Sequence, residues 1–259
     1  ERGLLLPTAL GIVLGCLLLD PPITYGLAFS AKTFGAAKIH RLFDERHPGE
    51  IPIIGSSRAS GSFVPELIDP AAYNYGIEET GYLDARMMLM EELLKGGTTP
   101  IIIDFDYGFF DAHEPNMAHF IPNMGHAEVR SLVGDRRRWF YRVPTMRYFG
   151  VMDEYYKAFL SNFSRKNHRS RGGFFIDGWP GRKAFAVLTA KREGAHPGWT
   201  GSSVAQAEWK SLLASTVRPI VLAIAPYHHS YFDDFGHMSD ARAYLAELGA
   251  LRNVTVIDH

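Results

Sequence analysis

The chain has 259 residues, 46% of them hydrophobic, which is enough for one large domain or for one domain with a substantial insertion. A single cysteine excludes an internal disulfide, and a net charge of -1 gives no global preference for a charged partner. Residues 130–192, however, carry fifteen Lys and Arg against four Asp and Glu. This basic segment favours an anionic surface or partner, and a solvated basic face is the alternative.

The first predicted element is an apolar helix. Residues 4–19 form sixteen consecutive positions without a charge, slightly short of the roughly 20 that span a bilayer. We expect Asp20-Pro21-Pro22 to break the helix there. No small-x-small cleavage site follows, so the segment favours a retained single-pass anchor, residues 1–27, over a removed signal peptide or a buried core helix.

Strands and helices then alternate along residues 28–259. Each predicted strand is a continuous apolar run, as in a parallel sheet covered on both faces. The elements are a juxtamembrane helix within 28–50, strands at 51–55, 71–76, 100–106, 219–226 and 253–259, and helices at 81–97, 202–216 and 240–251. Residues 111–200 interrupt this rhythm. Rich in aromatics, arginines, glycine and proline, they predict a large insertion at the C-terminal edge of the sheet.

Two serines follow the first predicted strand in "IPIIGSSRASGSF". In a doubly wound sheet, functional groups lie at the C-terminal ends of strands. A serine at the start of the next helix faces the positive end of the helix dipole, and its own N–H can stabilise an oxyanion. The alternative is that Ser56 and Ser57 only cap the helix. The residues alone leave both interpretations open.

The stretch resembles the first block of the SGNH (GDSL-like) hydrolase superfamily, and most closely its membrane-anchored extracytoplasmic branch of esterases and O-acyltransferases. The resemblance is carried by "PIIGSSRASGSF", "YNYG", "IIIDFDYGFF" and "VLAIAPYHH", and only the first motif is specific. It implies a flavodoxin-like three-layer α/β domain with a parallel sheet. It also implies Ser57 as nucleophile, an oxyanion-hole N–H from Gly76 or Gly81, and Arg58 as a neighbouring binding residue.

Two departures from the family pattern concern the partners of the serine. Asp104 and Asp106 stand where the family has an asparagine. The family's Asp-x-x-His follows the last strand, whereas the only such motif here, Asp234 to His237, comes earlier in the chain. This pair is the candidate base and its orienting acid, and the paired histidines His228 and His229 are alternatives.

Other kinds of site find less support. Asp111, His113, Glu114 and His119 offer ligand types but match no closed zinc pattern, so we expect no metal. No Walker-type or dinucleotide glycine motif occurs, so we expect no cofactor. The basic and aromatic segments "RRRWFYR" and "RKNHRSR" suit single-stranded nucleic acid, which an extracytoplasmic location argues against.

Two functional hypotheses follow from the sequence. The first is a periplasmic esterase or O-acyltransferase of a bacterial envelope polysaccharide, held in the inner membrane by residues 4–19. The second is a catalytically degenerate SGNH-like subunit that scaffolds a polysaccharide, respiratory or photosynthetic membrane complex. In both, residues 130–192 would bind an anionic polymer, lipid headgroups or an acidic protein.

Overall fold

The computed structural model describes residues 2–30, 35–44, 46–78, 80–110, 117–133, 140–161, 199, 202–224 and 237–258. The chain forms two compact units. The first comprises Glu1–Glu45 and Met117–Asn167, and the second Arg46–Asn116 and His168–His259. The predicted anchor and the first part of the predicted insertion therefore share one unit.

The second unit is built on a five-stranded, all-parallel sheet. Its strands are β1 (Ile51–Ile54), β2 (Ala72–Asn74), β3 (Ile101–Asp104), β4 (Ile220–Ile224) and β5 (Val254–Asp258). Their order across the sheet is β2-β1-β3-β4-β5, the order of flavodoxin-like folds. The prediction of an α/β domain with a parallel sheet is confirmed.

The helices of the second unit bury one face each against this sheet or against each other. They are α3 (Ser57–Ser62), α4 (Pro65–Ile68), α5 (Tyr82–Leu94), α10 (Ser203–Ser215) and α11 (Met238–Gly249). Aromatic side chains fill the space beside α5 and α10, where Tyr82, Phe109 and Trp209 meet edge to face. Gly96 ends α5 with a φ of +69°, a conformation that glycine adopts without a steric penalty.

The first unit is helical in its described part. It contains α1 (Arg2–Ser30), α2 (Ala36–Asp44), α6 (Met117–Phe120), α7 (Ala127–Val133), α8 (Pro144–Arg147) and α9 (Met152–Ser161), with 3-10 turns at Ile121–Asn123 and Phe140–Arg142. A small core of Ala36, Ala37, Tyr148, Val151 and Tyr155 joins α2 to α9. The predicted juxtamembrane helix within 28–50 corresponds to α2.

The expected helix break at Asp20-Pro21-Pro22 is wrong, because α1 runs through all three residues. The Asp20 carboxylate accepts hydrogen bonds from the Thr24 hydroxyl (2.9 Å) and from the Thr145 N–H (3.1 Å). These bonds hold the stretch in place where the prolines remove backbone donors. Among the residues described, no helix combines the length and the apolarity needed to cross a membrane.

Candidate active site at the carboxyl ends of β1 and β3

The candidate site lies where the strand order reverses. In a sheet of order 2-1-3-4-5 the chain moves outward in opposite directions from β1 and β3, which leaves a crevice at their carboxyl ends. Gly55, Ser56 and Ser57 follow β1, and Asp104 ends β3 with Asp106 two residues later. The sheet thus brings the serine turn and the two carboxylates to one edge.

The two serines have different roles in the turn. Ser56 is the N-cap of α3, and its hydroxyl accepts a hydrogen bond from the Arg58 N–H at 3.2 Å. Ser57 is the first helical residue and is exposed. No described residue forms a hydrogen bond with the Ser57 hydroxyl. Capping therefore accounts for Ser56 and leaves the Ser57 hydroxyl available for chemistry.

Gly55 allows β1, α3 and β3 to approach closely. A Cβ atom at this position would lie 2.6 Å from the Asp104 Cβ and 2.7 Å from the Ala59 Cβ, distances that real Cβ atoms do not tolerate. The side chain of Asp104 consequently lies directly against the serine turn. Any larger residue at position 55 would push the turn away from β3.

The N–H groups of both candidate oxyanion-hole glycines already donate hydrogen bonds within the chain. Gly76 donates to the Asn74 Oδ1 at 2.8 Å. Gly81, which precedes α5, donates to the Asp84 Oδ2 at 3.1 Å. Gly76 lies against α3, since an added Cβ would be 2.7 Å from the Ser60 nitrogen. An incoming oxyanion would have to displace Asn74 or Asp84 to receive either donor.

Asn74 is a residue that the sequence reasoning missed. It is fully buried at the end of β2, and its Nδ2 donates to the Ala59 and Phe63 carbonyls at 2.8 and 2.9 Å. One amide thereby fixes the Gly76 N–H and two carbonyls of α3, holding the serine helix against β2. The only sequence signal was an asparagine among the apolar residues of "AAYNYG".

Arg58 and Asp106 form an ion pair beside Ser57. The Arg58 Nε lies 3.5 Å from the Asp106 Oδ2, and each side chain is 27% exposed. Asp106 Oδ1 also accepts a hydrogen bond from the Gly108 N–H at 2.8 Å. The predicted binding residue Arg58 is thus at the site, with its charge balanced at least in part by a carboxylate.

Asp104 is the most perturbed group of this edge. The residue is only 2% exposed, and neither carboxyl oxygen has a hydrogen-bond partner among the described residues. Burial raises the pKa of Asp104 to about 7; the positive charge of Arg58 acts against this rise, and the negative charge of Asp106 adds to it. A carboxyl group that changes charge near neutral pH therefore lies behind the serine turn.

The structure does not bring the predicted base to Ser57. His237 precedes α11 in a left-handed conformation (φ 58°), with 67% of its side chain exposed. Its Nδ1 lies 3.4 Å from the Asp240 Oδ2, and no hydrogen bond to Ser57 is found in the part of the chain described. Asp234, His228 and His229 lie outside the described residues.

The residues weighed as metal ligands do not form a centre where they are described. Within the described ranges no group of three or more His, Cys, Asp or Glu side chains is placed to hold a metal ion. His119 instead pairs with Glu154 across 3.1 Å in the first unit. Asp111, His113 and Glu114 lie outside the described residues.

Comparisons with protein-family models, with curated proteins and with solved structures find no match for this chain. The fold and the site geometry define an α/β protein with a flavodoxin-like strand order and a serine turn at its switch point.

Proposed function

We propose that the chain is an extracytoplasmic serine esterase or O-acyltransferase of the SGNH-like type, acting on an envelope polysaccharide with Ser57 as nucleophile. One observation supports this most: the Ser57 hydroxyl is exposed and unbonded among the described residues at the switch point, while Ser56 supplies the helix cap. Ligands of doubly wound sheets bind at that crevice. A serine retained only for capping would not need a second hydroxyl beside it.

The reaction would proceed in two acyl transfers. The Ser57 Oγ bonds to the acyl carbon while its proton passes to a base, and the tetrahedral intermediate expels the donor alcohol, which takes up that proton. Water then releases the acyl group in an esterase, or a glycan hydroxyl accepts it in an acyltransferase. The Ser57 N–H is one donor for the oxyanion.

The base belongs to the stretch between β4 and α11. Because α11 begins at Met238, this connection leaves the same sheet edge at which the serine turn lies. His228, His229 and His237 are the candidates, with Asp234 as orienting acid. A triad requires one of these imidazoles within about 2.6–3.2 Å of the Ser57 hydroxyl.

Attachment to the bacterial inner membrane, with the second unit in the periplasm, is part of the proposal. Eight apolar side chains of α1 are between 50% and 74% exposed: Leu10, Ile12, Val13, Leu14, Leu17, Leu18, Leu19 and Ile23. They are distributed around the helix, so no single face is polar. A helix that is apolar all round favours a non-aqueous environment, and lipid supplies one.

A degenerate, non-catalytic subunit of a membrane complex is the second candidate. It is favoured by the engagement of both glycine N–H groups, Gly76 with Asn74 and Gly81 with Asp84. In that case the exposed apolar α1 and the basic segment 130–192 would be docking surfaces for the membrane and an acidic partner protein, an anionic polymer or lipid headgroups.

Fluorophosphonate labelling of the detergent-extracted chain separates the two candidates. The serine hydrolase hypothesis predicts covalent label on Ser57, its loss in Ser57→Ala, and parallel loss of acetyl-ester hydrolysis. Ser62→Ala is the matched control, because Ser62 is an exposed serine of the same helix. Absence of label on the wild-type chain refutes the enzyme. Recovery of the chain with stoichiometric membrane partners would then support the scaffold.

A further inference from the structure

The buried carboxyl of Asp104 has no evident structural role. Buried polar groups almost always have hydrogen-bond partners, and an unpartnered one needs an explanation. Asp104 contributes no hydrogen bond to the described part of the sheet or of α3, yet it is 2% exposed and lies against Gly55 and Ala59. Its position is therefore expensive for stability and adjacent to the reactive serine.

Arg58 connects this carboxyl to the site. Its guanidinium forms the 3.5 Å ion pair with Asp106, and its charge also acts on Asp104. Arg58 directly follows Ser57 in the first turn of α3. A displacement of the guanidinium between two carboxylates is therefore transmitted through one peptide unit to the nucleophile.

We propose that Asp104 is a positioning residue for Ser57. The charge of its carboxyl group decides whether the Arg58 guanidinium is held by Asp106 alone or shared with Asp104, and this sets the first turn of α3. The inference rests on the proposed function for its effect on chemistry, but its structural half is independent of it.

The direction of the switch follows from the charges around Asp104. In the described chain, the charged groups that act on it are Arg58 from α3 and Asp106 beyond β3, while β1 and β4 place the uncharged Gly55 and Ala223 beside it. At low pH the neutral carboxyl leaves Arg58 with Asp106. At high pH the new buried charge attracts Arg58, because a buried anion without a partner is strongly disfavoured.

The test combines side-chain NMR with Ser57 labelling on the full chain in detergent. We expect the Asp104 carboxyl carbon and the Arg58 Nε–H signal to shift together with one midpoint near pH 7. In Asp104→Asn, the Arg58 signal should not move in this range. Asp240→Asn, which removes an exposed carboxylate, is the matched control and should leave the midpoint unchanged.

The fluorophosphonate labelling rate should show a step with the same midpoint, roughly two- to fivefold in size, since partly exposed ion pairs are weak. The step should vanish in Asp104→Asn, while any step due to the base remains. If that variant does not fold, Arg58→Gln should also remove the step and raise the Asp104 midpoint, because a favourable charge is lost.

Three results are decisive. Titration of Asp104 without movement of the Arg58 signal overturns the inference, and so does a step at this midpoint that persists in Asp104→Asn. Absence of labelling at every pH refutes the esterase proposal alone, and the NMR titration still decides whether Asp104 controls Arg58.

Discussion

The two ends of the parallel sheet treat a buried charge in opposite ways. At the amino end, before β4, Arg218 is 5% exposed and its guanidinium donates to Glu92 Oε1 (2.9 Å), to the Thr99 carbonyl (2.7 Å) and to the Thr99 hydroxyl (3.1 Å). At the carboxyl end, Asp104 is 2% exposed and its oxygens have no hydrogen-bond partner among the described residues. Comparable burial thus comes with full satisfaction at one end and with none at the other.

This difference separates stability from reactivity within one sheet. A charge that is paired and hydrogen-bonded stays charged and fixes the elements around it, as Arg218 joins the end of α5 to the residues before β3 and β4. A charge without partners shifts its pKa instead, and such shifts cluster at functional sites. The contrast assigns the amino end of the sheet to folding and the carboxyl end to chemistry.

The largest expected effect comes from removing Arg218. Arg218→Met leaves the Glu92 carboxylate buried with only Lys95 as a charged partner, 2.7 Å away. We expect a loss of about 3–5 kcal/mol in the free energy of unfolding, because breaking a buried pair leaves an uncompensated charge. Urea unfolding, followed by amide hydrogen exchange in β3 and β4, measures it.

Glu92→Gln on the Arg218→Met background is the control that identifies the cause. Neutralising the orphaned carboxylate should restore part of the lost stability. A loss below about 1 kcal/mol in Arg218→Met would place this end of the sheet among ordinary surface sites and remove the contrast.

The second expected effect is a gain in stability at high pH in Asp104→Asn. The pKa of Asp104 rises from 3.8 to about 7 on folding, so the folded state binds more protons between these values and wild-type stability falls as pH rises through them. Asp104→Asn lacks this titration. Relative to wild type, it should gain about 2–4 kcal/mol by pH 9 and much less at pH 4, at 1.36 kcal/mol per pKa unit.

Thermal or urea unfolding across this pH range checks the prediction. Asp106→Asn is the comparison variant, since Asp106 is partly exposed and lies in the Arg58 ion pair. A flat difference between Asp104→Asn and wild type over the whole range would show that Asp104 stays ionised in the folded protein.

The sequence predicts the strands well and the hydrogen bonds of the site poorly, for one physical reason. Strands such as "IIID" are local apolar runs, so burial on both faces can be read from consecutive residues. The fate of the Gly76 N–H depends on an asparagine side chain that also bonds to α3, and the burial of Asp104 depends on Gly55. Such contacts join segments that no local pattern relates.

The helix through Pro21 and Pro22 illustrates the same limit. Local rules predict a break, and the contact that holds the neighbouring Asp20 comes from Thr145, more than a hundred residues away. The grouping of residues 1–45 with 117–167 has a similar origin, since it depends on packing between α2 and α9. Periodicity gives elements, and long-range contacts decide how they are capped, joined and paired.

A third effect, of intermediate size, distinguishes the two serines at the carboxyl end. Ser56→Ala removes the cap of α3 and should cost about 1 kcal/mol in the free energy of unfolding. Ser57→Ala should change stability by less than about 0.5 kcal/mol, because the residue is exposed and its hydroxyl is unbonded in the described structure. Denaturant unfolding of both variants measures the difference. Equal costs would mean that the serines share the capping role.

The smallest expected effect calibrates the comparison between the two ends. Lys210 and Glu247 form an ion pair between α10 and α11 at 2.7 Å, with side chains 41% and 58% exposed. Water screens this pair, so Lys210→Met should lower stability by less than about 1 kcal/mol, and added salt should reduce the effect further. Urea unfolding at low and high ionic strength provides the measurement. Because its length is close to that of the Arg218–Glu92 pair, a loss as large as in Arg218→Met would mean that distance rather than burial governs ion-pair strength here.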